Sequence, residues 1–84
     1  MRTRHTPGTL LRPSAEFPKG FGLWPEDPGA SLPHAAGPDL PAGEMVLLVK
    51  TVIHGAPPYD ACSVQVLYRG GLFWAWEDML QEAE

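Results

Sequence analysis

The chain of 84 residues contains a single cysteine, Cys62. An intrachain disulfide needs two cysteines and a thiolate zinc site needs several, so the sequence excludes both. The histidines His5, His34 and His54 stand far apart, and no two of them have the spacing of metal ligands. We therefore expect no bound metal and a protein made in a reducing compartment.

Long apolar runs are missing as well. A membrane-spanning helix needs about 20 consecutive apolar residues, and no stretch of the chain approaches that length. Residues 1–11 carry positive charge but lack the apolar stretch that a signal peptide requires. The sequence predicts a protein of cytoplasmic origin that has no membrane partner and is not secreted through a signal peptide.

Basic residues are scarce outside the N-terminus. Residues 1–20 have a net charge of +3, whereas residues 21–84 contain two bases and nine acids, for a net charge of −7. Nucleic-acid affinity comes mostly from neutralising phosphates, which an acidic body does not do. We therefore expect no nucleic-acid partner, and we interpret residues 1–7 as a flexible arm.

Motifs for catalysis and cofactor binding are also absent. The sequence has no glycine-rich phosphate loop, cofactor motif or recognisable nucleophile–base pair. Glu77 and Asp78 are neighbouring carboxylates, but a catalytic pair must face across a cleft, and we expect these two to lie in water at a terminal turn. The sequence predicts a protein that is not an enzyme and that has no cofactor and no small-molecule substrate.

Prolines dominate the first half of the chain. Eight of the ten prolines precede residue 42 and leave no window for a helix. A short strand fits at 8–12, and residues 14–42 form a long connection. This connection is either a disordered linker or an ordered excursion held by its apolar residues, which are Phe17, Phe21, Leu23, Trp24, Leu32 and Leu40. Disordered segments are poor in aromatic residues, so the ordered excursion is favoured.

The second half has the composition of β-strands. The apolar, β-branched run at 44–53 predicts a long strand that is bent or twisted, and the Gly- and Pro-rich residues 54–60 predict a turn. Residues 77–84 are too few for a stable helix. They predict one 3₁₀ turn followed by a short strand or tail, with Leu80 plugging the end of a barrel.

A hairpin is predicted between two alternating runs, 62–68 and 72–76. Gly70-Gly71 is a strong signal for a two-residue turn, which would place Tyr68 opposite Phe73. Period-two alternation then sends one set of side chains inward, namely Val64, Val66, Tyr68, Phe73 and Ala75. The opposite face receives Gln65, Leu67, Arg69, Leu72, Trp74 and Trp76.

This order of elements resembles an SH3-like small barrel, whose last hairpin runs into a 3₁₀ turn ending in a buried leucine. The most specific stretch is VQVLYRGGLFWAWEDMLQ, residues 64–81. It is similar to small SH3-like proteins encoded by tailed bacteriophages, in which a Gly-x-x-x-Trp-x-x-x-Asp-x-Leu pattern closes the chain. The resemblance covers residues 8–82. It implies an all-β, SH3-like barrel of about five strands, forming a single domain over residues 8–84.

The resemblance does not extend to peptide-binding SH3 domains. Their ALYDY-type stretch has no counterpart at residues 9–20, so we do not expect polyproline recognition. Fold alone does not supply a function, because this barrel hosts many unrelated roles.

The two tryptophans of the hairpin define the candidate site. Large apolar rings with a polar rim mark protein contacts. Two alternatives remain: the chain's own loop covers the rings, or the rings stack on a nucleobase. The predicted protein interface consists of Trp74, Trp76, Leu67, Leu72, Arg69 and Trp24.

The function expected from these features is a non-catalytic structural or interaction module that docks on a larger protein assembly. The phage-like resemblance implies a small virion component of the capsid or head-tail region. The alternative is a small SH3-like accessory subunit of a cellular enzyme or electron-transfer complex.

Overall fold

A computed structural model describes residues 5–29, 36–54 and 61–83. Regular structure in these ranges is β-strand apart from one 3₁₀ turn, which confirms the all-β class. The elements are β1 Leu10–Pro13, β2 Phe21–Gly22, β3 Asp39–Leu40, β4 Val46–His54, β5 Ala61–Tyr68, β6 Gly71–Trp76, the 3₁₀ turn Glu77–Met79 and β7 Leu80–Glu82. The predicted 3₁₀ turn and the short strand after it are therefore confirmed. Residues 1–4 of the predicted arm, Leu32, and residues 55–60 of the predicted turn lie outside the described residues.

Five strands form one antiparallel sheet in the order β6-β5-β4-β1-β7, and β2 pairs with β3 in a separate two-stranded sheet. The outer strands β6 and β7 do not pair with each other, so the sheet is open and the expected closed barrel is corrected. The physical reason is that β7 is only three residues long and the free edge of β6 is already occupied. The short β7 pairs along β1, and the free edge of β6 is bridged by Trp24, which pairs with Trp74.

The long strand β4 carries an irregularity in its pairing with β5. Its register against β5 shifts between Leu48 and Lys50, so Val49 is an extra residue without a partner. Such a bulge bends a strand and increases its twist. Any bend or added twist of the strand predicted at residues 44–53 is therefore expected at this position.

The β5–β6 hairpin turns one residue earlier than predicted. Tyr68 pairs with Gly71, so the turn residues are Arg69 and Gly70, with φ angles of 49° and 82°. Two left-handed residues are the signature of a type I′ turn. The predicted Gly70-Gly71 turn was wrong because Arg69 adopts the left-handed conformation that was expected only of glycine. The pairing moves by two positions, which leaves the face of each strand residue unchanged.

The core lies on one side of the five-stranded sheet, which we call the inner face. Val64, Val66 and Ala75 are fully buried there, and Phe73 packs partly buried against them. Leu80 is 2% exposed, so its predicted burial is confirmed, although in an open sheet it packs in the core and does not plug a barrel. The remaining buried residues of this core are Leu11, Leu23, Leu40, Val46, Leu48 and Tyr68.

Parts of the connection 14–42 pack onto this inner face. Leu23 and Leu40 are 1% and 0% exposed, so each is a core residue. The chain approaches itself closely at Gly20, where φ is 78° and a Cβ would overlap the carbonyl of Leu40. The excursion thus supplies a second layer, and Leu23 and Leu40 lie where the ordered-excursion interpretation places them.

Candidate protein-binding surface

Four leucines from four strands form a row on the outer face of the sheet, the side opposite the core. Leu10 is paired with Leu47, Leu47 with Leu67, and Leu67 with Leu72. Residues directly opposite in antiparallel strands share a face, with Cβ atoms about 4.5–5.5 Å apart. We call Leu10, Leu47, Leu67 and Leu72 the leucine row.

The leucine row is open to solvent. Leu10, Leu67 and Leu72 are 47%, 39% and 51% exposed, and Leu47 is partly buried between its neighbours. Ala83 extends the row toward β7, because its N–H donates to the carbonyl of Leu10 at 2.9 Å. Scattered exposed leucines are ordinary, but a contiguous apolar strip across a sheet marks a contact surface.

A second row lies beside the first. Lys50 is paired with Gln65 and Gln65 with Trp74, and Trp24 bridges to Trp74 from the excursion. The Lys50 ammonium lies 5.6 Å from the centroid of the Trp74 ring, within the range of a cation–π contact. We call Lys50, Gln65, Trp74 and Trp24 the tryptophan row.

The excursion is fastened to the far end of the outer face by a polar cluster. His54 Nε2 lies 2.9 Å from Ser63 Oγ and 3.2 Å from Asp27 Oδ1. The same Asp27 oxygen accepts the N–H of Gly29 at 2.9 Å. Trp76 packs edge-on against His54, with ring centroids 6.2 Å apart. We call Asp27, His54 and Ser63 the polar clamp.

The polar clamp contains the residue types of a nucleophilic triad but not its geometry. A triad uses one ring nitrogen of histidine for serine and the other for aspartate. Here Ser63 and Asp27 both face Nε2 of His54. A proton on Nε2 suits the nearby carboxylate, and that nitrogen then cannot accept the serine proton. Ser63 is also fully buried, so the clamp has the features of a structural fastening.

The electrostatics of the clamp favour an ionised Asp27. Burial by itself raises the pKa of Asp27. Hydrogen bonds from the Ser63 side chain and the Gly29 N–H, together with the interaction with His54, outweigh that effect and hold the pKa below its ordinary value. The clamp is therefore a charge-assisted contact between the excursion and the sheet.

The structure brings most of the predicted interface residues to the outer face. Leu67 and Leu72 belong to the leucine row, and Trp74 and Trp24 are neighbours in the tryptophan row. Both of these tryptophans and Trp76 are partly buried. The excursion therefore lies beside Trp74 and against His54 rather than over the leucines.

Arg69 is not brought to this surface. It lies in the turn, where one guanidinium nitrogen donates to both carboxylate oxygens of Glu44 at 3.0 and 3.1 Å. The guanidinium also lies 5.3 Å from the ring centroid of Tyr68, a core residue. Arg69 was assigned to the outer face because the turn was placed one residue too late.

Sequence reasoning missed Leu10, Leu47 and Lys50 as parts of the surface. Leu10 and Leu47 alternate with buried residues, so each could have been assigned an outward direction. Which strands are neighbours, and hence that these leucines meet Leu67, depends on a topology that the pattern does not contain. Lys50 reaches the outer face only because of the bulge at Val49.

The expectation for Glu77 was wrong. Glu77 is 2% exposed, whereas Asp78 is exposed as expected. The 3₁₀ turn packs against β5 and carries Glu77 into the protein. Adjacent residues of a turn thus have opposite environments here.

Comparisons with known proteins identify no relative, so a function has to be proposed from the outer face of the sheet. No protein-family model matches the chain, and no curated protein or solved structure matches it either. Among the described residues, no three or more His, Cys, Asp or Glu side chains are grouped to hold a metal ion. In those same ranges, no helix has the length and apolar character needed to cross a membrane.

Proposed function

We propose that this protein is a non-catalytic interaction module that docks on a larger protein assembly through the outer face of its sheet. The observation that carries the proposal is the leucine row. Its side chains meet across four strands, yet three of them keep about two-fifths to one-half of their surface in water. Burying a leucine fully is worth roughly 1.5–3 kcal/mol, so covering this strip would favour association.

The excursion strengthens this argument. It contributes Leu23 and Leu40 to the core on the inner face and fastens its Asp27 to the far end of the outer face. Leu23 and Leu40 are thus used on the inner face, and the leucine row stays exposed. An exposed apolar surface beside the tryptophan row is suited to a partner.

For the setting, the proposal follows the resemblance to small SH3-like proteins of tailed phages. The β5–β6 hairpin, the 3₁₀ turn and the buried Leu80, which follow one another along the chain, support this setting. The protein would then be made in the cytoplasm and incorporated into a capsid or head-tail structure. The alternative, a small accessory subunit of a cellular enzyme, uses the same surface.

A charge placed in the middle of the leucine row tests the docking surface. Leu67→Asp should abolish association with the native assembly while the isolated protein still unfolds cooperatively. Ile53→Asp is the matched control, because Ile53 is 50% exposed and is paired with the inward-facing Cys62, outside the leucine row. Association of each variant is measured by co-sedimentation with the assembly. If both variants associate equally well, the leucine row is not the docking surface.

Native mass spectrometry of the purified assembly separates the two settings. Many symmetric copies in a particle support the virion component. A fixed low ratio to one enzyme supports the accessory subunit instead. Neighbouring genes for capsid or tail proteins would provide an independent check of the first setting.

A further inference from the structure

The outer face has a charge pattern unlike that of the whole chain. The chain has ten acids against six bases. The strand residues whose side chains point to the outer face include no carboxylate in the described ranges, and their two permanently charged members are Arg12 and Lys50. By register and alternation these outward residues are Leu10, Arg12, Leu47, Lys50, Val52, His54, Ala61, Ser63, Gln65, Leu67, Leu72, Trp74, Trp76 and Gln81.

The two cations stand on either side of the leucine row. Arg12 follows Leu10 by two positions on β1, so it shares the outer face and is paired there with Gln81. Lys50 lies on the other side, in the tryptophan row, with its ammonium over Trp74. An apolar strip is therefore bracketed by positive charge.

Carboxylates near the sheet are directed elsewhere. Glu82 is paired with the core residue Leu11, so it points to the inner side. Glu44 is held by Arg69 at the hairpin turn. Asp27 does reach the outer face from the excursion, but it is engaged with His54 in the clamp. In the part of the chain that the structure describes, no carboxylate forms an ion pair with Arg12 or Lys50, so both charges are available to a partner.

We infer that the occupant of the leucine row is an acidic amphipathic segment of a partner protein. Its apolar side chains cover the leucines while its carboxylates meet Arg12 and Lys50. The inference rests on the proposed function and adds the chemical class of the partner. Charges at the rim of an apolar contact act mainly on partner choice and association rate, so they determine which segment binds.

Charge complementarity also distinguishes this occupant from a second copy of the chain. In a symmetric dimer the same patch occurs on both sides. Face-to-face packing would bring Arg12 and Lys50 of one copy toward the same cations of the other, and like charges across an interface oppose association. The acidic segment has no such penalty.

The test uses the full chain, labelled with ¹⁵N, and two synthetic peptides with identical apolar residues. One peptide has glutamate at its polar positions and the other has lysine. We expect the glutamate peptide to shift the amide signals of the leucine row and to bind about three- to tenfold more tightly for the two added pairs. Its affinity should fall as salt is raised.

A double variant, Arg12→Glu with Lys50→Glu, should reverse the preference toward the lysine peptide. The matched control is Lys19→Glu, since Lys19 is an exposed cation in the turn before β2. The control should keep the preference of the unmodified chain. Melting curves establish that each variant is folded before it is titrated.

The other outcomes each overturn the inference in a recognisable way. Equal binding of both peptides would leave an apolar docking surface without charge selectivity. A doubled mass that Leu67→Asp abolishes would make a second copy the occupant. If neither peptide binds while Leu67→Asp still prevents association with the native assembly, the acidic segment is wrong and the proposed function stands. If Leu67→Asp also has no effect on that association, both fall together.

Discussion

Trp24 and Trp74 bond each other through both backbone groups. The N–H of Trp24 donates to the carbonyl of Trp74 at 2.9 Å, and the N–H of Trp74 donates to the carbonyl of Trp24 at 2.7 Å. The bridge covers the edge of β6 with a residue of the excursion. An uncovered edge strand is a template for pairing with other chains, so this contact protects the sheet as well as anchoring the excursion.

Removal of one donor from this bridge should destabilise the protein. Trp24→Pro loses the N–H that bonds Trp74, whereas Trp24→Ala loses only the side chain. We expect the proline variant to be less stable than the alanine variant by about 1–3 kcal/mol, because the carbonyl of Trp74 loses its hydrogen-bond donor. Urea unfolding measures the difference, and equal free energies of unfolding would show that the bridge contributes nothing.

Acid should weaken the polar clamp. The folded-state pKa of Asp27 is lowered, so its contribution to stability is fully present above the unfolded value of about 3.9. That contribution is lost as pH falls through the lower, folded-state pKa. At pH 7, Asp27→Asn should cost about 1–2 kcal/mol, and the variant and the unmodified chain should converge in stability at low pH.

Asp39→Asn is the control for the loss of a carboxylate, since Asp39 is an exposed aspartate on β3. At pH 7 it should change the free energy of unfolding by no more than about 0.5 kcal/mol. The free energies of unfolding of Asp27→Asn and of the unmodified chain should differ less as pH falls. A difference that stays constant down to the lowest pH would contradict the role of the ionised carboxylate.

A methyl group on Gly29 should disturb the clamp sterically. A Cβ there would overlap the imidazole of His54, whereas a Cβ on Gly43 would have no atom within 4 Å. Gly29→Ala should therefore displace His54 from Asp27 and Ser63 and lower stability by about 1–2 kcal/mol. Gly43→Ala should be neutral or slightly stabilising. Thermal melts and the imidazole proton signals of His54 together show whether the ring has moved.

Asparagine should suit the turn position 69 better than alanine does. Arg69 has a φ of 49°, a conformation that asparagine adopts more readily, and Asn-Gly is a preferred type I′ turn. Arg69→Asn should raise the free energy of unfolding by about 0.5–1 kcal/mol relative to Arg69→Ala. Both variants lose the ion pair with Glu44, so their difference isolates the backbone effect. A stability equal in the two variants would indicate that the turn is unstrained.

Local pattern was enough to predict much of the C-terminal half. Alternation assigned Val64, Val66 and Ala75 to the core, and the acidic turn and Leu80 followed from chain length and composition. The face assignment survived a misplaced turn, because a two-position change in pairing keeps each side chain on its side. The face of a strand residue can therefore be predicted correctly even when the turn is placed one residue too late.

Features that depend on pairing between residues far apart in the sequence could not be predicted from local sequence pattern. The bridge between Trp24 and Trp74 joins residues far apart in sequence, and the leucine row needs the order of four strands. The bulge at Val49 gives no distinctive residue signal, since valine is an ordinary strand residue. The candidate surface was thus predicted through Leu67 and Leu72 but not through Leu10 and Leu47.

The unpaired Val49 reverses which residues of β4 point to the outer face. Had the strand alternated without interruption, Lys50 and His54 would point into the core, and neither could serve the outer face. Inserting or deleting one residue between Leu48 and Lys50 would therefore move every later side chain of β4 to the opposite face of the sheet. The number of residues at this bulge thus determines whether Lys50 lies beside the leucine row and whether His54 can join the polar clamp.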